Sequence, residues 1–85
     1  MSDLPHLILY SRPGCHLCDE MKAVVRRAAW RERFTWEEVD ISTDERLERL
    51  YGTEIPVLLI GGRKAAKYRI GEEELVRKIK SRIED

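Results

Sequence analysis

Apolar residues fall into short blocks along this chain, and their spacing changes from block to block. Leu7-Ile8-Leu9-Tyr10 is a continuous run without alternation. That pattern predicts a central strand buried on both faces. Pro13-Gly14 ends it too soon for a helix. From Cys15 onward, Leu17, Met21, Val24, Val25 and Ala28 fall at i, i+4, i+7, i+8 and i+11. This is one face of a helix that should reach about Ala29–Arg31. Lys22, Arg26 and Arg27 lie largely off the stripe, and the basic cluster of Arg26, Arg27 and Arg31 reads as a solvated face. Phe34-Thr35-Trp36 and Val39-Asp40-Ile41 read as a second strand. Its apolar phase slips at Glu37-Glu38, as at a bulge or an exposed edge. Trp30 and Trp36 read as packing groups.

Ser42-Thr43-Asp44-Glu45 fits a capping box, with Ser42 at the N-cap and Glu45 at N3. Leu47, Leu50 and Tyr51 give the short helix that follows one apolar face, and Gly52 can end it in the left-handed conformation. Ile55 to Ile60 is a second apolar run, with Pro56 tolerated at its opening. Gly61-Gly62 supplies the positive φ angles of a tight hairpin. Lys64 to Ile70 is the more polar returning strand and so an outer one. Glu72-Glu73-Glu74 at one end and Lys78, Lys80 and Arg82 at the other complement the dipole of a last helix. Leu75, Ile79 and Ile83 form its stripe. The sum is an α/β fold, β-α-β-α-β-β-α, with one sheet flanked by helices. The first two strands should be parallel, joined by a right-handed crossover.

The chain has 85 residues, with 16 basic and 16 acidic side chains and a formal charge of zero. That length fits one small domain over residues 1–85. Without a basic excess, no nucleic-acid partner is expected. No apolar run approaches the roughly 18 residues of a membrane helix, so no membrane partner is expected either. Met1 to His6 does not read as a signal peptide. The expectation is a cytoplasmic monomer in a compartment that keeps thiols reduced.

That setting gives weight to the two cysteines, Cys15 and Cys18, which sit where the first strand hands over to the first helix. A bridge across so small a loop stabilises little. Residues three apart on a helix have Cβ atoms about 5–6 Å apart, close to disulfide reach. Cys15, at the helix start, meets unpaired N–H groups and the positive end of the dipole, which favour a thiolate. Cys18, one turn in, is the natural resolving thiol. Arg12 and His16 are candidates for tuning the Cys15 pKa, while Asp19 and Glu20 act in the opposite sense. The expected chemistry is thiol–disulfide exchange without a bound cofactor. No metal is expected, because a structural zinc wants four ligands and only His6 and His16 could join the cysteines. Haem attachment needs a histidine after the second cysteine, where Asp19 stands.

The stretches Tyr10-Ser11-Arg12-Pro13-Gly14-Cys15-His16-Leu17-Cys18 and Tyr51-Gly52-Thr53-Glu54-Ile55-Pro56-Val57-Leu58 resemble a glutaredoxin-like protein of the thioredoxin fold. More narrowly, the chain is similar to small bacterial glutaredoxin-like domains of poorly defined function, from about Leu7 to Ile83. The resemblance implies the minimal glutaredoxin form, a thioredoxin-like fold with a four-stranded mixed sheet. It implies that Cys15 attacks and Cys18 resolves. It implies that Ile55-Pro56 is a cis pair facing the cysteines, with the Ile55 backbone pairing with substrate. It gives Gly71, and Arg12 beside the motif, a place in substrate binding. The implied partners are a disulfide-containing protein or a glutathione mixed disulfide, and a thiol reductant, with glutathione as a possible co-substrate. Glu54-Ile55-Pro56 stands where glutaredoxins have Thr-Val-Pro, and Ile70-Gly71-Glu72-Glu73 keeps only the second glycine of their last turn. Two readings of other classes stand beside this one. One is a binding module that docks a partner through the Cys15–Pro56 surface. The other is metal or cluster delivery by thiolates shared between two protomers.

Overall fold

The computed structural model describes residues 4–84, with side chains as far as Ser81. Its elements are β1 (His6–Ser11), α1 (His16–Ala28), β2 (Thr35–Asp40), a 3-10 turn (Ile41–Thr43), α2 (Glu45–Tyr51), β3 (Val57–Ile60), β4 (Arg63–Lys67) and α3 (Glu72–Glu84). The order is the one the sequence predicts, with the 3-10 turn added. The strands lie in the order β2-β1-β3-β4. β1 and β2 are parallel, and the other two pairings are antiparallel.

β1 is central, but it is not buried on both faces. Leu7, Leu9 and Ser11 are buried, while His6, Ile8 and Tyr10 are only partly covered. The reason is an asymmetry of layers. The buried face meets α1 and α3, which contribute Met21, Val24, Val25, Ala28, Leu75, Val76 and Ile79 to one core with Leu58 and Ile60. The other face meets α2, through the stack of Tyr10 on Tyr51. No residue of that short helix is buried.

Local departures from expectation have local causes. β2 runs in unbroken register with β1 from Thr35 to Asp40, so the Glu37-Glu38 slip marks an exposed edge and not a bulge. The bulge lies between Leu58 and Leu59, opposite β4. Ser42 does not cap α2. Asp40 draws it into the 3-10 turn by accepting from the Ser42 N–H and hydroxyl, and Asp44 caps α2 instead, accepting from the Arg46 and Leu47 amides. Gly52 ends α2 at φ −54°, in the right-handed region. β4 stops at Lys67 and does not reach Ile70. Tyr68 sits at φ 67°, which an extended strand does not accommodate. Gly61 and Gly62 do take positive φ, 57° and 83°, at the hairpin. Trp36 packs against the core as expected, but Trp30 is 91% exposed in the turn after α1. Leu75 and Ile79 line the buried face of α3; the Ile83 side chain lies outside the described residues.

The basic cluster on α1 is only in part a solvated face. Arg27 bonds Glu72, and Arg31 bonds both Glu72 and Glu73. These pairs tie the end of α1 to the start of α3. Their acceptors hold the Arg31 guanidinium in its charged form, and Arg31 in turn holds the Glu73 carboxyl below its usual range.

Candidate active site

Ser11 ends β1, and the loop Arg12-Pro13-Gly14 turns the chain into α1. Gly14 takes φ 77°, the left-handed region that favours glycine. The Cys15 amide donates back to the Arg12 carbonyl across this turn, at 3.3 Å. Cys15 is then not the first residue of the helix but its N-cap, in extended conformation. Its sulfur accepts from the Cys18 N–H at 3.1 Å. One of the orphan amides of the first turn is thereby aimed at the sulfur that the sequence assigns to attack.

The two cysteines are bridged, with Cα atoms 5.2 Å apart. That separation is ordinary for a disulfide. They differ in access: Cys15 is half-buried, whereas Cys18 is 1% exposed and belongs to the inner side of α1.

The other residues singled out in the sequence are distributed as follows. The Ile55–Pro56 peptide bond is cis. The register pairs Tyr10 with Val57, which puts this bond at the sheet end where β1 runs into the cysteine loop. Pro56 is buried, and its carbonyl accepts from the Tyr68 amide at 2.9 Å. Gly71 lies at the start of α3 and lines a groove of about 400 Å³ with Glu20, Met21 and Val24 of α1. Arg12 is committed elsewhere, its guanidinium forking onto Glu48 of α2 at 3.0 and 2.7 Å. His16 is exposed and meets Glu20 one turn down the helix, at 3.1 Å.

A polar network beneath the loop has no counterpart in the sequence reading. The Ser11 hydroxyl donates to Glu38 at 2.8 Å, and Lys22 meets the other oxygen of the same carboxylate at 3.0 Å. Burial works to raise the Glu38 pKa. Hydrogen bonds from Lys22 and Ser11, with the charges of Lys22 and Arg26, outweigh it and hold the carboxyl below its usual range. The partners come from three elements, so only the alternation of β1 and β2 in register could have brought Ser11 and Glu38 together on paper. The shallow hollow of about 280 Å³ above them is also lined by Arg12, Asp19 and Asp40. Among the described residues, no group of three or more His, Cys, Asp or Glu side chains is placed to hold a metal ion. Nor is any helix among them long and apolar enough to cross a membrane.

Comparison with known proteins gives the family and the fold. A family described as Glutaredoxin-like domain (DUF836) matches residues 6–80. The glutaredoxin-like protein YDR286C homolog of Dictyostelium discoideum is 32% identical over 72 residues, which are 78% of this chain and 67% of that protein. Among solved structures, protein Ne2328 from Nitrosomonas europaea superposes with a TM-score of 0.78 at 30% identity, covering 92% of this chain and 94% of its own. A variant thioredoxin from Halobacterium salinarum superposes with a TM-score of 0.69 at 21% identity, covering 93% of this chain and 74% of its own. At that identity the likeness speaks for the fold alone, which is thioredoxin-like.

Proposed function

This chain belongs to the glutaredoxin-like domain family, and from that premise we propose that it is a dithiol–disulfide oxidoreductase acting through Cys15 and Cys18. The observation that carries the reading is the inequality of the two sulfurs: an accessible Cys15 that caps a helix, bridged to a buried Cys18 three residues on.

In the reduced form the Cys15 thiolate attacks one sulfur of a substrate disulfide. One S–S bond breaks, a mixed disulfide forms, and the departing thiolate takes up a proton. Cys18 then loses its proton and attacks the Cys15 sulfur, releasing the second substrate thiol and leaving the internal bridge. Two electrons pass from the dithiol to the substrate. A thiol reductant, glutathione or a dithiol protein, returns the pair to the reduced form. The cap amide supports the step at which it matters, because it donates to the Cys15 sulfur when that sulfur carries negative charge. The Ile55–Pro56 segment offers backbone at the same end of the sheet to a docked substrate. On this reading Arg12 acts at one remove, by anchoring the cysteine loop to α2 through Glu48. His16, on the exposed side of α1, is a surface group and not a partner of either sulfur. The setting proposed is a cytoplasmic, thiol-reducing compartment, with the protein as a monomer and no resident cofactor.

The test is trapping. Cys18→Ser is expected to accumulate a mixed disulfide on Cys15 when offered a protein disulfide, and Cys15→Ser to accumulate none. Equal labelling of the two variants, or no reduction of any disulfide by the native chain, would count against the assignment.

A further inference from the structure

The groove lined by Gly71 has one wall on α1, C-terminal to the dithiol, and the other on the segment from Tyr68 to Gly71. Both walls are fixed. The α1 wall begins two residues past Cys18, and the opposite wall is held to the Pro56 carbonyl by the Tyr68 amide. The floor is apolar, made by Met21, Val24 and Ile70. The rim is acidic: Glu20 stands on one wall and Glu74 on the other.

Four bases around the groove are already engaged, while Lys78, four positions past Glu74 on α3, forms no ion pair among the described residues. Arg69 points a guanidinium nitrogen at Glu20, 3.9 Å away, and is largely in solvent. Lys67 lies over the Tyr68 ring and 3.9 Å from Glu54. Arg27 and Arg31 are spent on Glu72 and Glu73. Among the described residues Glu74 makes no salt bridge, and His16 meets Glu20 from the preceding turn of α1. Of the three charged side chains that line the groove, Glu20 and Glu74 are acidic and Arg69 is basic, so the small apolar floor lies under a rim of net negative charge.

Glutathione is a poor match, since it brings two carboxylates, a single ammonium group and no apolar side chain. We propose that this groove selects polypeptide disulfides in which the reacting cysteine is flanked by an apolar residue and a lysine or arginine. The apolar side chain lies over Met21, Val24 and Ile70, and the cation meets Glu74 and Glu20. This assignment rests on the oxidoreductase reading and names its substrate class.

The test uses reduced Cys18→Ser protein and follows the rate at which Cys15 is captured. Four probes are compared: two short peptide disulfides that differ only in arginine or glutamate beside a Leu-Cys pair, oxidised glutathione, and an uncharged hydroxyethyl disulfide. The arginine peptide is expected to react faster than the glutamate peptide and glutathione, on the order of five-fold, as half-exposed charge pairs permit. That ratio should fall towards one when Glu20→Gln and Glu74→Gln are combined, and it should shrink in high salt. Equal rates for the two peptides, or a preference that survives both substitutions, overturn the groove assignment alone, provided the uncharged disulfide reacts. If the uncharged disulfide also fails to react, the oxidoreductase reading falls and the substrate class falls with it.

Discussion

Cys15 has two parts to play, as the accessible sulfur of the pair and as the cap of the helix that presents it. A serine in its place keeps the cap, because a hydroxyl accepts from the same amide. Cys15→Ser should therefore abolish exchange while changing the stability of the reduced protein by no more than about 1 kcal/mol. Denaturant unfolding under reducing conditions, set beside the activity loss, separates the two parts. Glu38 makes a different prediction. Its folded pKa is lowered from the ordinary 4.5. A lowered carboxylate stabilises the fold above that ordinary value, and the contribution is lost as pH falls through the folded value. Glu38→Gln should cost about 1 kcal/mol near neutrality, the pair with Lys22 being partly solvated. The gap from the native chain should close on acidification below the ordinary value, as urea titrations at several pH values can show. The sequence brought the cysteines to notice because both partners sit within one turn. Arg12 and Glu48 lie 36 positions apart, and nothing in local spacing announces their pair.

At the scale of elements, the stretch from Asp40 to Glu45 shows how a correct signal can settle on the wrong residue. Two aspartates, Asp40 and Asp44, each cap a turn through a carboxylate oxygen, and Ser42 between them becomes a donor to the first. A serine three residues before a glutamate meets the capping-box pattern, but an aspartate immediately before the helix is an equally good cap, and the 3-10 turn decides between them. Asp44→Ala should cost about 1 kcal/mol of helix stability. Since α2 buries no residue, the cost is expected first as faster amide hydrogen exchange over Glu45–Tyr51, ahead of any large fall in the global transition. Strand and helix periods were legible because they repeat. The end of β4 was not, because one residue, Tyr68, changes the sign of φ without any turn residue to mark it.

For the molecule as a whole, the unequal layers govern where damage is felt. Leu9 and Ile79 are fully buried between the sheet and the pair α1 and α3, whereas Leu50 of α2 is 59% exposed. Leu9→Ala or Ile79→Ala should cost roughly 2–5 kcal/mol, a large share of what so small a protein has. Leu50→Ala should stay within about 0.5 kcal/mol. Thermal unfolding of the three variants checks the contrast. Element order and the buried stripes of α1 and α3 could be read from the chain, since apolar spacing alone sets them. The thin cover on the second face could not, because a sequence shows which side of a strand is apolar but not how large a helix will lie against it. Trp30 belongs to the same lesson. It follows the last turn of α1, where helical phase no longer says which way a side chain points.

The Gly61-Gly62 turn has a practical side. The Gly61 amide donates to the His6 carbonyl at the start of β1, so the turn and the cysteine loop occupy opposite ends of the sheet. No atom lies within 4 Å of where a side chain would sprout at either glycine. An exposed tip of this kind is a favoured place for inserted residues. A fluorophore or surface tether grafted there, with the glycines kept, would hold the molecule by the end away from the cysteine loop and leave Cys15 open to a partner.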